Sequence, residues 1–461
     1  MNLARSLAIA CERFPEHEAF PGITYQELLP RVQRIAGGLD VEPGEHVALV
    51  LDNRLETALL YWAAQWAGAV AVPLSWRLSE EELDYCLADC RAVRTVAEDD
   101  LLPDGPAHPG ALARNDRETS LMLYTSGTTG RPKGVPRSHA ADRAGGMTQA
   151  LQHGYVPHER TLGVMPLYHT MGIHSLLAMH LVGGCFVPQA RWSAAGALDL
   201  IAEHRVSALY LAPTLFYDLL EELRTRPVAV SSVRAIGYAG AAMTSSLVER
   251  CCQELDPEIF VNHYGSTEIY TVTIGSEQRE KPGCAGRPAV NTPLRLSEEG
   301  EICIHLSSDE AFAGYWNRPD ADEKAIRDGW YHTGDTGHLD EDGDLWIDGR
   351  VDDMIVSGGE NIHPLEVEDV LSRHPGVAEV AVVGAPDERW GHRVVAVLIG
   401  AATPEELDAH CLASPLARFK RPREYRFVDS LPRSPSGKIL RRVIRDELLP
   451  QPEDRRKTEQ V

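Results

Sequence analysis

No segment of this 461-residue chain comes near the ~18 to 20 consecutive apolar residues that a membrane-spanning helix requires. A helical span is therefore not expected. Near the N-terminus, Arg5 and the apolar stretch from Ser6 to Cys11 imitate a short lipoprotein signal. The stretch is too brief for a signal core and runs into Glu12 and Arg13, so it reads as an amphipathic first helix. With no targeting segment, the expected location is the cytoplasm. Cysteine is sparse: the nine residues have neither the paired spacing of a zinc site nor the density of a disulfide scaffold, so reduced thiols are expected. Cations are short as well. Against 68 acidic residues stand 45 Lys and Arg, a formal charge of -23, which disfavours nucleic acid and anionic membrane surfaces as partners. Any anionic ligand must be held by local groups.

What is present is a globular composition, 43% hydrophobic and 25% charged, in a chain long enough for two or three domains. From His46 to about Gly240, short apolar runs alternate with longer amphipathic ones. Val47 to Leu51 and Gly68 to Val72 read as buried strands, the second stopped by Pro73, with Glu56 to Trp66 as the helix between them. The rhythm returns in Val206 to Leu211, in the helix after Pro213 and in Val233 to Tyr238. Repeated βαβ units imply parallel sheets covered by helices, an α/β fold. Near Pro282 the texture changes to short strands broken by Gly and acidic turns (Pro293 to Leu296, Glu301 to Ile304, Gly343 to Ile347), which suggests a small antiparallel β subdomain or barrel. Past Arg350, the helical stretch Leu365 to Ser372 and the extended stretches Val377 to Gly384 and Arg393 to Gly400 form a C-terminal α+β domain of normal size. The polar end from Gln451 is expected to fray. Monomer and homodimer both stay open.

Chemistry concentrates first in Thr125-Ser126-Gly127-Thr128-Thr129-Gly130-Arg131-Pro132-Lys133-Gly134, which follows the apolar run Leu121 to Tyr124. Glycines let backbone N–H groups approach an anion, hydroxyls donate further bonds, and Arg131 and Lys133 offset charge. A polyphosphate is the natural guest. The spacing is not that of a Walker loop, which needs Lys directly after its last Gly and then Ser or Thr.

Tyr124 to Gly134 resembles the phosphate-loop signature of the acyl-adenylate-forming superfamily, which includes acyl-CoA synthetases, peptide-synthetase adenylation domains and luciferases. Four further segments match that family in order: Tyr264-Gly265-Ser266-Thr267-Glu268, Tyr331-His332-Thr333-Gly334-Asp335, Gly349 to Pro364, and Pro435-Ser436-Gly437-Lys438. The resemblance implies an N-terminal AMP-binding domain over 1–350 with the ATP and acid sites, a hinge at 351–354, and a mobile C-terminal domain over 355–461 that carries the catalytic lysine. It implies ATP, Mg2+ and CoA as the small-molecule requirements. Thr125 to Thr129 and Lys133 would hold phosphates, with Glu268 and Thr125 at the metal and Thr267 at the α-phosphate. Tyr264, Gly265 and the turn Ala239-Gly240-Ala241 would hold the adenine, whose amino group Asn262 would read. Asp335 would take the ribose hydroxyls, with Arg350 beside it, and Lys438 would stabilise the adenylation transition state. Asp352 falls at the hinge position.

The segment from Gly349 to Asn361, together with Glu388-Arg389-Trp390-Gly391 and Phe419-Lys420-Arg421-Pro422, is similar to bacterial benzoate and halobenzoate CoA ligases. That likeness implies Gly358 and Gly359 on the pantetheine path and Trp390, Phe419 and Arg421 on the CoA nucleotide; an indole, a phenyl and a guanidinium suit a purine bearing phosphates. Met165 to Gly172 resembles the family's acyl-pocket segment, so His169 is expected to orient or gate the acid. Tyr238, His263 and Ile269 are expected nearby, with Met243 and Tyr270. This aromatic, uncharged lining favours an aryl or medium acyl monocarboxylate. The resulting reading is an acid-thiol ligase that forms acyl-AMP and then acyl-CoA. A stand-alone adenylation enzyme loading a carrier protein is the alternative, and a non-catalytic nucleotide-binding protein is a third reading. The chain is shorter than typical family members, with losses between Phe20 and Thr24 and between Cys90 and Thr119.

Overall fold

A computed structural model describes residues 1–98, 100, 102–125, 131–433 and 439–448, with Glu447 and Leu448 described by backbone alone. Ser126 to Gly130, Ser434 to Lys438 and the polar end from Gln451 lie outside the described residues. The amphipathic start is a helix, Leu3–Arg13: Asn2 caps it by accepting from the Arg5 N–H at 2.9 Å, and Leu3, Leu7, Ala10 and Cys11 turn inward at helical spacing. Leu55–Ala67 is buried on every side from Thr57 onward, as a helix covered on all faces must be, and ends on Gly68 in the left-handed region. Tyr25–Leu39 tolerates Gly37 and Gly38 for a packing reason. A β-carbon on Gly37 would stand 1.8 Å from the Pro106 carbonyl oxygen. The short connection after Cys90 lies directly on this helix, Gly105 N–H donating to Arg34 O at 3.1 Å and His108 N–H to Gln33 O at 3.0 Å.

Two sheets carry the α/β pattern. The first has the order Arg94–Ala97, His46–Val50, Val70–Pro73, Thr119–Thr125, Lys133–Ser138, parallel except for the last pair. The second runs Arg287–Pro288, Thr273–Gly275, Ile259–Tyr264, Ala235–Tyr238, Ala208–Leu211, Arg160–Gly163, Cys185–Pro188, with its last five strands parallel. Apolar runs such as Ala208–Leu211 and Ala235–Tyr238 are buried throughout, the pattern of strands covered on both faces. The antiparallel β subdomain is a five-stranded sheet of Leu294–Leu296, Glu301–His305, Trp330–Leu339 and Ile326–Arg327, with Leu345–Arg350 also paired to Trp330–Leu339. Bridges between Gly286 and Leu345 and between Ile269 and Ala311 tie it to the residues of the second sheet. Beyond a single 3-10 turn, Val351–Asp353, another five-stranded sheet packs against the helices Pro364–Ser372 and Pro404–Ala413. Its strands are Glu360–Ile362, Ile355–Ser357, Gly391–Gly400, Val377–Asp387 and Glu424–Phe427. Polar contacts bring the two parts together where Ser245 Oγ donates to Asp369 at 3.1 Å and Arg373 donates to Ser245 Oγ at 3.1 Å.

An ionic clamp fixes the acidic turn between the last two strands of the antiparallel sheet. Lys281 Nζ donates to Asp340, Asp342 and Asp344 at 3.0, 2.7 and 2.6 Å. The three carboxylates hold the ammonium above its ordinary range. Asp340 is held below the usual carboxylate range by Trp346, the Asp344 N–H and Lys281, and Asp344 by Lys281 and Arg287. Depressed carboxylates stabilise the fold fully above their ordinary range, and that contribution is lost as pH falls from there through the lowered folded-state values. The lysine contribution is lost only as pH rises past the ordinary lysine range. We therefore expect Lys281→Met to lower the melting temperature at neutral pH, with the gap to wild type narrowing below about pH 4. A gap unchanged by acid would assign the effect to the lysine stem and its packing.

Candidate active site

A cleft of about 2680 Å³ opens where the parallel strands end. Thr125, Ala212, Ala239 and Gly265, each at or just past the carboxyl end of its strand, line it, which is where open α/β sheets place their ligands. Three groups of side chains share this space.

The first surrounds Asp335. Tyr264 Oη donates to one carboxylate oxygen at 2.6 Å and Arg350 Nη1 to the other at 2.9 Å, Arg350 being the cross-strand partner of Asp335. Burial and the adjacent carboxylate push the Tyr264 phenol well above its usual range, so it stays a donor. Each carboxylate oxygen has a second lone pair, so the pair of bonds leaves acceptor capacity for a diol. Gly265 makes the turn possible: a β-carbon there would stand 1.7 Å from Tyr270 O, and Ser266 N–H closes the turn onto Ile269 O at 2.9 Å. Gly240 sits at φ +86° in the facing turn with Ala241. Asn262 lines the cleft but spends its amide N–H groups on Gly283 O and Cys284 O, at 3.2 and 3.1 Å. It reaches an adenine amino group only with its carbonyl end.

The second group offers hydroxyls and an ammonium, the complement of a phosphate. Thr125 and Lys133 are register partners across the antiparallel pair Thr119–Thr125 and Lys133–Ser138, and both line the cleft. Lys133 Nζ lies 4.0 Å over the Tyr315 ring, and burial lowers its pKa against the opposing pull of Glu268. Tyr315 Oη donates to Glu268 Oε1 at 2.6 Å. Behind them Arg137, fully buried, donates to Thr267 O at 2.9 Å and to Asp142 at 2.6 Å. Asp142 also accepts from Ser120 Oγ at 2.9 Å and lies 3.5 Å from His174 Nε2. Burial alone would raise the Asp142 carboxyl; Arg137 and His174 hold it below its usual range. Tyr315, Arg137, Asp142 and His174 are not singled out by any motif.

The third group is aromatic. His169 caps the helix Thr170–Val182, accepting from Met171 N–H at 3.5 Å, and it lines the cleft with Tyr168, Met171, Tyr210, His263 and Tyr270. His263 bonds to His153 at 3.1 Å and to Tyr270 O at 3.2 Å. Burial drives His263 well below its usual range and His153 to about 3, so both are neutral. Two residues expected here are elsewhere. Tyr238 pairs in register with Asn262 and so shares its face, not that of His263; its hydroxyl donates to Gln278 at 2.9 Å. Ile269 is packed in the core of the antiparallel sheet with Val135, Phe312 and Tyr331.

The residues expected at CoA lie away from the cleft lining, on the C-terminal part. Trp390 is 37% exposed, with the Arg389 guanidinium 4.7 Å and that of Arg423 5.8 Å from its ring. Gly358, at φ +62°, packs under the indole, its N–H donating to Trp390 O at 2.8 Å, and a β-carbon would stand 2.8 Å from the ring. Gly359 follows at φ +88°. Phe419 is exposed beside Lys420, and Arg421 pairs with Asp408 at 2.7 Å. Asp352 lies in the Val351–Asp353 turn and lines the cleft, and its carbonyl accepts from Arg445 at 3.5 Å. Lys438 and Ser126 to Thr129 lie outside the described residues, but Arg433 and Ile439, which form a bridge, both line the cleft.

Two α/β sheets, a linking antiparallel sheet and a small C-terminal α+β part around one cleft define the architecture of adenylate-forming enzymes. The chain belongs to the AMP-binding enzyme family, whose model matches residues 7–114 and 97–316, with the AMP-binding enzyme C-terminal domain at 366–438. Its relatives include a 4-chlorobenzoate–CoA ligase of an Arthrobacter species, 36% identical over 92% of this chain and 90% of the relative. A feruloyl-CoA synthase of an Amycolatopsis species is 35% identical over 92% and 93%. The o-succinylbenzoate CoA synthetase of Bacillus subtilis, solved with its acyl-adenylate intermediate, superposes with a TM-score of 0.84 at 30% identity over 96% of this chain and 98% of that one. The same enzyme has been solved with ATP and a magnesium ion. Among the described residues no helix is long and apolar enough to cross a membrane.

Proposed function

We propose that this protein is an ATP-dependent acid-thiol ligase, an AMP-forming aryl- or acyl-CoA ligase that makes acyl-AMP and then the CoA thioester. The observation that carries the reading is one cleft that combines Thr125, Lys133, Glu268, Tyr264, Asp335 and Arg350 with a neutral aromatic wall. In the first half-reaction an acid carboxylate oxygen bonds to the α-phosphorus of ATP and the bond to pyrophosphate breaks. Catalysis there is positioning and charge neutralisation. Asp335 and Tyr264 fix the ribose and base, Lys133 faces the phosphates, Thr267 donates to the α-phosphate, and His169 orients the acid. Glu268, a hard oxygen donor at the cleft wall, fits Mg2+, with Thr125 as a second oxygen ligand. Bound there, Mg2+ supplies further neutralisation of phosphate charge. In the second half-reaction the CoA sulfur attacks the acyl carbonyl and AMP departs.

The domain division at 350 and 355 gives this sequence of steps a mechanical basis. Gly358, Gly359 and Trp390 stand off the cleft, so thioester formation requires the C-terminal part to turn about Asp352. An exposed indole with two guanidiniums near its ring supports CoA over a carrier protein as acceptor. The wall of Tyr168, Tyr210, Tyr270 and neutral His263 supports an aromatic monocarboxylate, since these four described residues offer no cation for a second carboxylate. The test is a panel of aryl, medium-chain and dicarboxylic acids with mass-spectrometric detection of acyl-AMP and acyl-CoA. Pyrophosphate release with acyl-AMP but no acyl-CoA would reinstate the carrier-loading reading, and ATP binding without turnover would leave only a nucleotide-binding protein. For the acceptor, Trp390→Ala should raise the KM for CoA, a loss of about 0.5–2 kcal/mol of stacking, with acyl-AMP formation nearly unchanged. Unaltered CoA kinetics would remove Trp390 from the acceptor site.

A further inference from the structure

Away from Glu268, three unlike donors meet on the antiparallel sheet. Glu301 and Cys303 come from the strand Glu301–His305, and His332, on the neighbouring strand, is the cross-strand partner of Cys303. His332 Nδ1 lies 2.7 Å from Glu301 Oε2 and 3.4 Å from Cys303 Sγ, and one donor atom of each residue falls within 4.8 Å of the others. Glu301 and His332 also line the cleft, which gives solvent a path to the group, whereas Cys303 is fully buried behind them.

The geometry points to a binding site for a divalent cation of the zinc class, held by the Glu301 carboxylate, the Cys303 thiolate and the His332 imidazole, with a fourth position facing the cleft. A thiolate, an imidazole and one carboxylate are a zinc, cobalt or cadmium set. Mg2+ seeks oxygen ligands, so this site is chemically distinct from Glu268. The contrast within the same sheet is instructive. Asp340, Asp342 and Asp344 also converge, but the Lys281 ammonium already stands among them. Arg295, the partner of Cys303 on its other side, offsets the thiolate charge. Binding replaces the Cys303 S–H bond with a metal–sulfur bond and releases that proton to water. Glu301 keeps its other oxygen on the Gly334 N–H at 3.0 Å, so the cation stands next to the residue that precedes Asp335.

The test uses the full-length enzyme, stripped with a chelator and returned to buffer, with Co2+ as the optical probe. Wild type should show a sulfur-to-cobalt charge-transfer band that Zn2+ displaces, and Cys303→Ser should lose the band. Calorimetric Zn2+ affinity should fall by at least roughly tenfold in Cys303→Ser, since even groups outside the ligand shell count on that scale. His332→Gln keeps the thiol and should weaken Zn2+ binding likewise, which decides the matter should Cys303→Ser fail to fold. Absence of the band in wild type would overturn the site, as would an undiminished band in Cys303→Ser or unchanged affinity in His332→Gln.

Discussion

Lys438→Ala is expected to slow acyl-AMP formation by roughly a hundredfold or more, about 2.7 kcal/mol or above, while thiolysis of supplied acyl-AMP stays near the wild-type rate. The warrant is electrostatic. As the bond to pyrophosphate breaks, negative charge builds on the bridging oxygen, and an ammonium aimed there acts on the transition state far more than on bound ATP. Lys438 closes the sequence Pro435-Ser436-Gly437-Lys438 within a basic stretch of the chain. The described residues that flank this segment in sequence, Arg433 and Ile439, line the same cleft as Lys133 and Glu268. Lys133 is already engaged over the Tyr315 ring, and Arg350 is bonded to Asp335. Neither is a ready substitute for Lys438 at the leaving oxygen. Parallel measurement of pyrophosphate release and of CoA-dependent consumption of synthetic acyl-AMP separates the steps. Equal losses in both would end the division of labour between the two half-reactions.

The cleft residues proposed to hold the nucleotide were legible because they come in contiguous runs. Tyr124 to Gly134, Tyr264 to Glu268 and Tyr331 to Asp335 each follow or form a strand, and each run is recognisable without knowing what it packs against. The α/β order was legible for the same reason, since Ala208–Leu211 and Ala235–Tyr238 are apolar runs of strand length. The aromatic wall proposed for the acid was only half legible, because strand alternation decides which neighbour faces it. Asn262 and His263 point to opposite faces; Tyr238 follows Asn262 by register, and sequence adjacency to a motif carries no such parity. The support behind the Thr267 loop was not legible at all. Arg137 sits in a strand ending at Ser138, and Asp142 in the first turn of His139–Gln152, where an acidic residue is ordinary. Only the tertiary fold shows that both are fully buried and meet.

That buried pair gives the largest expected effect on stability. Arg137→Met leaves the Asp142 carboxylate in the interior beside Ser120 and His174 but without its guanidinium, and breaking such a pair costs about 3–5 kcal/mol. The destabilisation should shrink in acid, because an Asp142 carboxyl that has lost Arg137 titrates at higher pH and is neutralised sooner. A second substitution separates stability from catalysis. Arg137→Met with Asp142→Leu removes both charges, and apolar replacement of a buried pair is often neutral, so the urea midpoint should return toward wild type. Adenylation should not return with it, because Thr267 O still lacks the guanidinium that holds the Thr267–Glu268 turn against the cleft. A misplacement of about 1 Å in such a turn is enough for a loss of up to roughly a hundredfold. Urea unfolding and acyl-AMP formation on the two variants decide the assignment. Recovery of both quantities in the double variant would make Arg137 a residue of stability alone, whereas stability regained without adenylation identifies it as the group that positions Thr267 and Glu268.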